Sequence, residues 1–290
     1  MGEFLSLLTA VLYSAGVIFY KRSVASVSPF AMNLFKNTVA MVLLALTAIA
    51  LGKTALLSIS PQHLLLMFAS GAMGIGISDT LFLMTLARLG ASRTALVDCL
   101  YSPFVILFSL LLFRETLTPL AAVGGSLILA SVILSSQRSF GAAITGRQFA
   151  IGCGLGTAAM ATVAFAIVMM KPVLDSYPLA LVSAVRMAGG LAFVVLSLPL
   201  HPDRRAVFAA FRPQPAWRWM LLGTFFGSYL SIITWLAGFK YSQAGIAALL
   251  NQTSTVLIVV FAAVFLKEPM TRLKLVAVAM AFVGTVIILF

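Results

Sequence analysis

Four ionisable residues, Lys36, Asp79, Asp98 and Arg186, each sit inside a long apolar stretch of the chain. A charge at the centre of a hydrocarbon layer costs about 2.5–3.5 kcal/mol on insertion scales. Such a group survives there by pairing with an opposite charge or by lining a wet cavity. In a cavity it can meet a polar molecule or a proton. The alternative for Lys36 is a structural salt bridge with one of the two acids, which leaves the other acid without a local partner.

Polar groups of a second kind cluster near the end of the chain. Asn251-Gln252-Thr253-Ser254-Thr255 interrupts an apolar run. A run this polar cannot face lipid all round, so part of it faces a cavity or another helix. An earlier apolar run carries Tyr101, Ser102 and Pro103, and Pro103 leaves a backbone carbonyl without its helical donor. Tyr13, Tyr20, Tyr229 and Trp235 offer rings for stacking or for packing. The candidate binding set is therefore Lys36, Asp79, Asp98, Tyr101, Arg186, Trp235, Asn251, Gln252 and Ser254.

These residues are carried by membrane-spanning elements. Hydrophobic residues make up 62% of the 290 and charged residues 9%, against about 25% charged in a typical soluble domain. A span needs about 20 mainly apolar residues. Ten such runs are predicted, at 4–20, 30–51, 62–86, 92–113, 118–135, 149–170, 178–199, 217–238, 244–266 and 271–289. The stretch 200–216 reads as the only linker, with Trp217 and Trp219 placed for the membrane interface. Glu3 precedes the first run with no positive residue beside it, unlike a cleaved signal peptide. The net charge of +12 comes from bases scattered singly between apolar runs, not from a basic face, so a nucleic-acid partner is excluded.

The chain repeats itself. Displaced by 153 residues, runs 3–5 fall on runs 8–10 without a gap. Gly74 meets Gly227, Ser78 meets Ser231, Leu83 meets Leu236, and Ala91, Ala95 and Leu96 meet Ala244, Ala248 and Leu249. Arg114-Glu115-Thr116-Leu117-Thr118 meets Lys267-Glu268-Pro269-Met270-Thr271. Runs 1–2 match runs 6–7 through Lys21 with Lys171 and Pro29 with Pro178. The halves are 1–140 and 141–290, five helices each. An odd number sends the second copy into the membrane from the opposite side, the inverted-repeat plan of secondary transporters.

The Pro29-to-Lys36 and Pro178-to-Arg186 spacings, with Glu115 and Glu268 each followed by a Thr three residues on, resemble the ten-helix EamA-type members of the drug/metabolite transporter superfamily. The resemblance covers nearly the whole chain. It implies efflux or exchange of small metabolites without ATP. Lys36 departs from the family pattern, which usually has Arg there.

Depth along the helices sharpens the site. Asp79 and Asp98 lie equally far from the turn near Leu89, on neighbouring antiparallel helices, and Lys36 enters from the same face. At 1.5 Å per residue, the three form one expected cluster about 10 Å inside that face. Arg186 and Asn251 enter from the other face. The repeat sets Asn251 on Asp98 and Arg186 near Lys36, but puts Ile232 where the first copy has Asp79. Glu115 and Glu268, in short turns beside Arg114 and Lys267, read as structural, with Thr118 and Thr271 as helix caps.

Other chemistries are not supported. Gly52-Lys53-Thr54 lacks the earlier glycine of a phosphate-binding loop. His63 and His201 lie far apart, Cys99 and Cys153 are too few for a metal site, and no catalytic triad pattern occurs. The expected fold is all-α, ten membrane helices in two inverted repeats around a central cavity. The expected function is secondary transport of small polar or amphipathic organic metabolites, amino-acid-like solutes first. Its partners are the solute, membrane lipid and a coupling proton or exchanged solute, with no cofactor or metal, as a monomer or homodimer in a bacterial cytoplasmic membrane. A lipid-headgroup or multidrug exporter is the runner-up, and an intramembrane enzyme or a scaffold is the alternative from another class. Connections after runs 1, 3, 5, 7 and 9 hold thirteen bases against four after runs 2, 4, 6 and 8. By the positive-inside rule the termini then face outward, whereas the resemblance implies cytoplasmic termini.

Overall fold

Helix starts are written in the local sequence. Ser28 and Ser60 each precede a proline, and each hydroxyl accepts the backbone N–H three residues on, from Ala31 and His63, at 3.3 Å. Proline suits the first helical position because its missing N–H has no partner there anyway. Thr145 and Gln148 close a reciprocal capping box, and Thr118 and Thr271 cap the two helices expected of them.

The computed structural model describes residues 1–23, 27–52, 59–89, 97–136, 145–200, 204–266 and 270–289. Among these residues every regular element is helical. In the first half they are α1 (Gly2–Ser23), α2 (Pro29–Ala50), α3 (Pro61–Gly71), a π-helical turn (Ala72–Ile77), α4 (Ser78–Leu89), α5 (Tyr101–Phe113) and α6 (Pro119–Ser136). The second half has α7 (Gly146–Val168), α8 (Lys171–Ser176), α9 (Leu179–Ser197) and α10 (Arg204–Ala209). It continues with α11 (Trp217–Thr224), a second π-helical turn (Phe225–Leu230), α12 (Ser231–Tyr241), α13 (Ala244–Asn251), α14 (Thr253–Leu266) and α15 (Arg272–Leu289). Eight helical stretches are long and apolar enough to cross a bilayer, and two shorter apolar helices, Tyr101–Phe113 and Pro119–Leu134, accompany them. The run expected at 92–113 begins within 90–96, outside the described residues, as do Ala91, Ala95, Leu96 and Glu268 of the repeat.

The 153-residue register reappears in the backbone. The two π-helical turns start at Ala72 and Phe225 and end at Ile77 and Leu230, the same displacement at both ends. A second irregularity repeats as well. The helix leading into α5 turns at Cys99 and Leu100, and the break between α13 and α14 falls at Gln252, 153 residues after Cys99. Pro103 explains the first, because it cannot donate to the carbonyl of Cys99. At the second, Thr253 donates its hydroxyl to the Leu250 carbonyl.

The two broken helices run antiparallel against each other. Ser102 donates to the Ala248 carbonyl at 3.0 Å, and the Gln252 amide donates to the Asp98 carbonyl at 3.0 Å. Asp98, through its carbonyl, and Gln252 thus meet where the two helices break. Glycine lets other helices approach closely. A Cβ on Gly16 of α1 would collide with Gly227 of the second π turn, and one on Gly71 would collide with the backbone of Arg186. Large apolar side chains such as Leu111, Leu196, Val264 and Phe282 lie on the outside, as a lipid-facing surface requires.

The 200–216 stretch is a correction to the linker reading. Val207 and Ala210 of α10 and its flank are buried in a cluster with Val27, Ala31 and Phe35, and Trp217 donates its indole N–H to the Ala210 carbonyl at 3.0 Å. The three-residue spacing of Val207 and Ala210 puts both on one helical face, which docks on α2. Trp217, at the start of the next span, packs against Phe35 with ring centroids 5.7 Å apart. Trp219 stacks on Phe19 and lies beneath the guanidinium groups of Arg22 and Arg218.

Candidate functional site

Two polar centres flank the broken helices. The first lies where α2 meets α4. Lys36 donates to Asp79 at 3.3 Å and to the side-chain Oδ1 of Asn37 at 2.9 Å. The Asp79 side chain keeps 37% of its surface accessible and that of Lys36 21%. Tyr13 of α1 is 40% exposed. Asp98 is partly accessible, and its carboxylate has no cation among the described residues. Of the cluster expected from depth, Lys36 and Asp79 are therefore paired, while no contact of the Asp98 carboxylate with either is seen among the described residues.

The second centre surrounds Arg186 on α9. Its side chain is fully buried. Nε donates to the Ser70 hydroxyl at 3.0 Å, and Ser70 itself donates to the Ala166 carbonyl. The guanidinium carbon stands 5.2 Å from the centre of the Trp235 ring, a cation–π distance. Nη1 finds no acceptor, and the hydroxyl of Ser183 and the amide of Asn251 are likewise buried without hydrogen bonds. Tyr101 and Trp235 both pack against the buried cluster that includes Val182 and Val185 of α9. Ser254 contributes its carbonyl to Ser14 of α1 at 2.9 Å, a packing role.

Glu115 anchors the ends of helices rather than the centre. It pairs with Lys171 of the second half, receives the Ser109 hydroxyl at 2.6 Å and accepts the Ala244 N–H at 3.0 Å. Its neighbour in sequence, Arg114, takes the left-handed conformation that ends α5 and is not its partner. Burial raises the Glu115 pKa, but hydrogen bonds from Lys171, Ser109 and Ala244, with the Lys171 charge, outweigh it and hold the carboxyl below its usual value. Two rings read as packing are hydrogen-bonded in place, Tyr20 to Ser228 and Tyr229 to Thr47, each at 2.6 Å. Sequence reading missed Ser70, Ser183 and Lys171. Ser183 stands one helical turn before Arg186, a spacing that could have flagged it, whereas nothing local signals the other two.

The model of the EamA-like transporter family matches residues 1–137 and 150–290, one copy on each half. The chain belongs to the EamA-like transporter family. It is a multi-pass membrane protein of two repeats, and the family's members move small solutes across membranes. A protein of known crystal structure superposes with a TM-score of 0.84 over 99% of this chain and 94% of that one, at 18% identity, a likeness that shows the shared fold. No curated protein sequence matches significantly. Within this EamA-like chain, the repeated helix breaks and π turns are the places where a transporter fold gathers polar backbone and side chains at membrane depth.

Proposed function

We propose that this protein is a secondary exporter or exchanger of small polar or amphipathic organic metabolites, amino-acid-like solutes first, in a bacterial cytoplasmic membrane. Ten spans in two inverted five-helix repeats, 1–140 and 141–290, enclose a central cavity. Lys36, Asp79, Asp98, Tyr101, Arg186, Trp235, Asn251, Gln252 and Ser254 line or support it. The carrying observation is the antiparallel meeting of two helices broken at repeat-equivalent positions, joined by Ser102 to the Ala248 carbonyl and by Gln252 to the Asp98 carbonyl. Inverted repeats bring equivalent discontinuous helices together in this way, with unsatisfied polar groups at the crossing. Acidic groups at this depth suit proton antiport or exchange as the source of energy, and the chain is read as monomer or homodimer.

An exporter of lipid headgroups or lipophilic drugs is the second reading. An apolar groove of about 690 Å³ favours it, lined by Met41, Ala45, Leu65, Phe68, Leu181 and Val185 on the outer faces of α2, α3 and α9. The test is counterflow. Purified protein in liposomes preloaded with unlabelled amino acids is expected to accumulate labelled amino acid transiently. Accumulation of lipophilic cations in its place selects the second reading, and no flux of either solute class refutes both.

A further inference from the structure

The end of a membrane span lies where hydrocarbon gives way to headgroups, and one such end carries a cluster of charge and rings. Trp219 sits in the first turn of the span Trp217–Tyr241, and Arg22 follows the end of the span Gly2–Tyr20. The Arg22 guanidinium carbon stands 4.5 Å from the Trp219 ring centre and that of Arg218 4.8 Å. Arg22 also donates to the Phe265 carbonyl at 3.1 Å, which ties the end of α1 to the end of α14 and holds the side chain in place. Both arginines are exposed. A guanidinium has five N–H donors and no acceptor, so most of their donors remain for a partner outside the chain.

Charge sets the sign of that partner. Among the described residues, Glu3 pairs with the N-terminus, Asp79 with Lys36 and Glu115 with Lys171, and no carboxylate meets Arg22 or Arg218. Two like charges share one ring, so an anion is drawn to them. Deeper in the membrane the surface turns apolar. Phe19 stacks on Trp219 and on Phe226, with centroids 6.0 and 6.2 Å apart. Phe226 lies about 10 Å deeper along the span than Trp219, at 1.5 Å per residue, and its neighbour Phe225 is 40% exposed. From the membrane face inward the order is guanidinium, indole, phenyl. A free anion uses only the first of these, whereas a phospholipid uses all three. Two bases without an acid beside them favour a lipid of net negative charge over one whose ammonium group needs a carboxylate.

We propose that Arg22, Arg218 and Trp219 form a headgroup site for an anionic phospholipid whose acyl chains lie along Phe19, Phe225 and Phe226. The guanidinium groups donate charge-assisted hydrogen bonds to the phosphodiester oxygens, and the indole sits at the interface that amphipathic rings favour. The lipid covers the seam of α1, α11 and α14, so it joins one helix of the first half to two of the second. None of these residues belongs to the set proposed to meet the solute, and the inference stands whatever is transported.

The experiment titrates the full chain, in a neutral detergent, with dioctanoyl phosphatidylglycerol, dioctanoyl phosphatidylethanolamine and glycerophosphoglycerol, the chain-free headgroup. Binding is read by native mass spectrometry. Phosphatidylglycerol is expected to bind at least about tenfold more tightly than phosphatidylethanolamine, as two bases at headgroup level imply, and the chain-free headgroup far more weakly than phosphatidylglycerol. Arg218→Gln should cut the preference about fivefold, the effect of one base at the surface. It leaves the tie between Arg22 and α14 in place, so the fold does not depend on it. The joint variant Arg22→Gln/Arg218→Gln should abolish the preference, and Arg212→Gln, which removes an exposed base outside the cluster, should leave it intact. A preference that survives the loss of Arg218 overturns the proposal, as does an equal fall in Arg212→Gln, which would mean diffuse surface charge. Native protein without the preference overturns it too, and so does a chain-free headgroup that competes as well as the lipid, the mark of a bare anion site.

Discussion

The two halves of this protein solve the same position differently. Lys36 in the first half and Arg186 in the second stand near the start of equivalent helices, each seven or eight residues after a proline. Lys36 has Asp79 at 3.3 Å. Where the second half needs the equivalent of Asp79, it has Ile232, which packs against the helix bearing Arg186. One cation is neutralised inside the protein, and the other is stranded beside Trp235 with a free donor. A repeat that kept both pairs would have a closed, well-satisfied centre.

The largest expected effect comes from restoring the lost pair. Ile232→Asp places a carboxylate where the first half has one, so Arg186 gains an internal counter-ion. Transport measured by counterflow is expected to fall at least about tenfold, equivalent to about 1.4 kcal/mol of lost solute affinity. Thermal stability should be maintained. Unchanged transport with a folded protein would break the comparison between the halves.

The next effect contrasts two glycines. Gly16 is pressed against Gly227 at the second π turn, whereas Gly154 has open space around it. Gly16→Leu is expected to destabilise by about 1–3 kcal/mol through overpacking, lowering the melting temperature in detergent. Gly154→Leu should leave it unchanged. Equal losses in the two variants would show that the α1 contact is not a close helix crossing.

How much of this was legible beforehand follows from where the information lies. The apolar runs, the 153-residue register and the buried charges are local or periodic, so they can be read from one sequence. The register extends to the π turns and the helix breaks, because the same helix crossings recur in each half. Ile232 opposite Asp79 is visible by the same alignment. Ion-pair partners far apart in sequence are a different matter. Lys171 binds Glu115 only because two halves pack together, and Arg114 beside it was the misleading neighbour. Docking of α10 depended on two small apolar residues, Val207 and Ala210, whose helical spacing was masked by arginines and prolines around them.

Smaller effects belong to the pairs already satisfied. Lys36→Met frees Asp79, but that pair is partly solvated, so the expected loss is only about 1 kcal/mol, read as a modest drop in melting temperature. A large collapse of the fold would mean the first centre is far drier than its accessibility indicates. Glu115 gives the mildest effect and a pH signature. Its folded pKa lies below the reference of 4.5, so its stabilising contribution is complete above that value and fades as pH falls through the folded pKa. Thermal melts of native protein and Glu115→Gln are therefore expected to differ at pH 7 and converge in acid. Parallel pH curves would remove Glu115 as a latch between the halves.

The most direct test sets the two centres against each other. Arg186→Gln and the joint neutral variant Lys36→Met/Asp79→Asn are reconstituted side by side, and counterflow of the same amino acid is measured. Arg186→Gln is expected to lose at least about tenfold in flux, equivalent to about 1.4 kcal/mol of lost affinity, while the joint variant, whose two charges already answer each other, is expected to lose less. Equal losses, or a greater loss from the paired centre, would contradict the assignment of the stranded arginine as the place where solute binds.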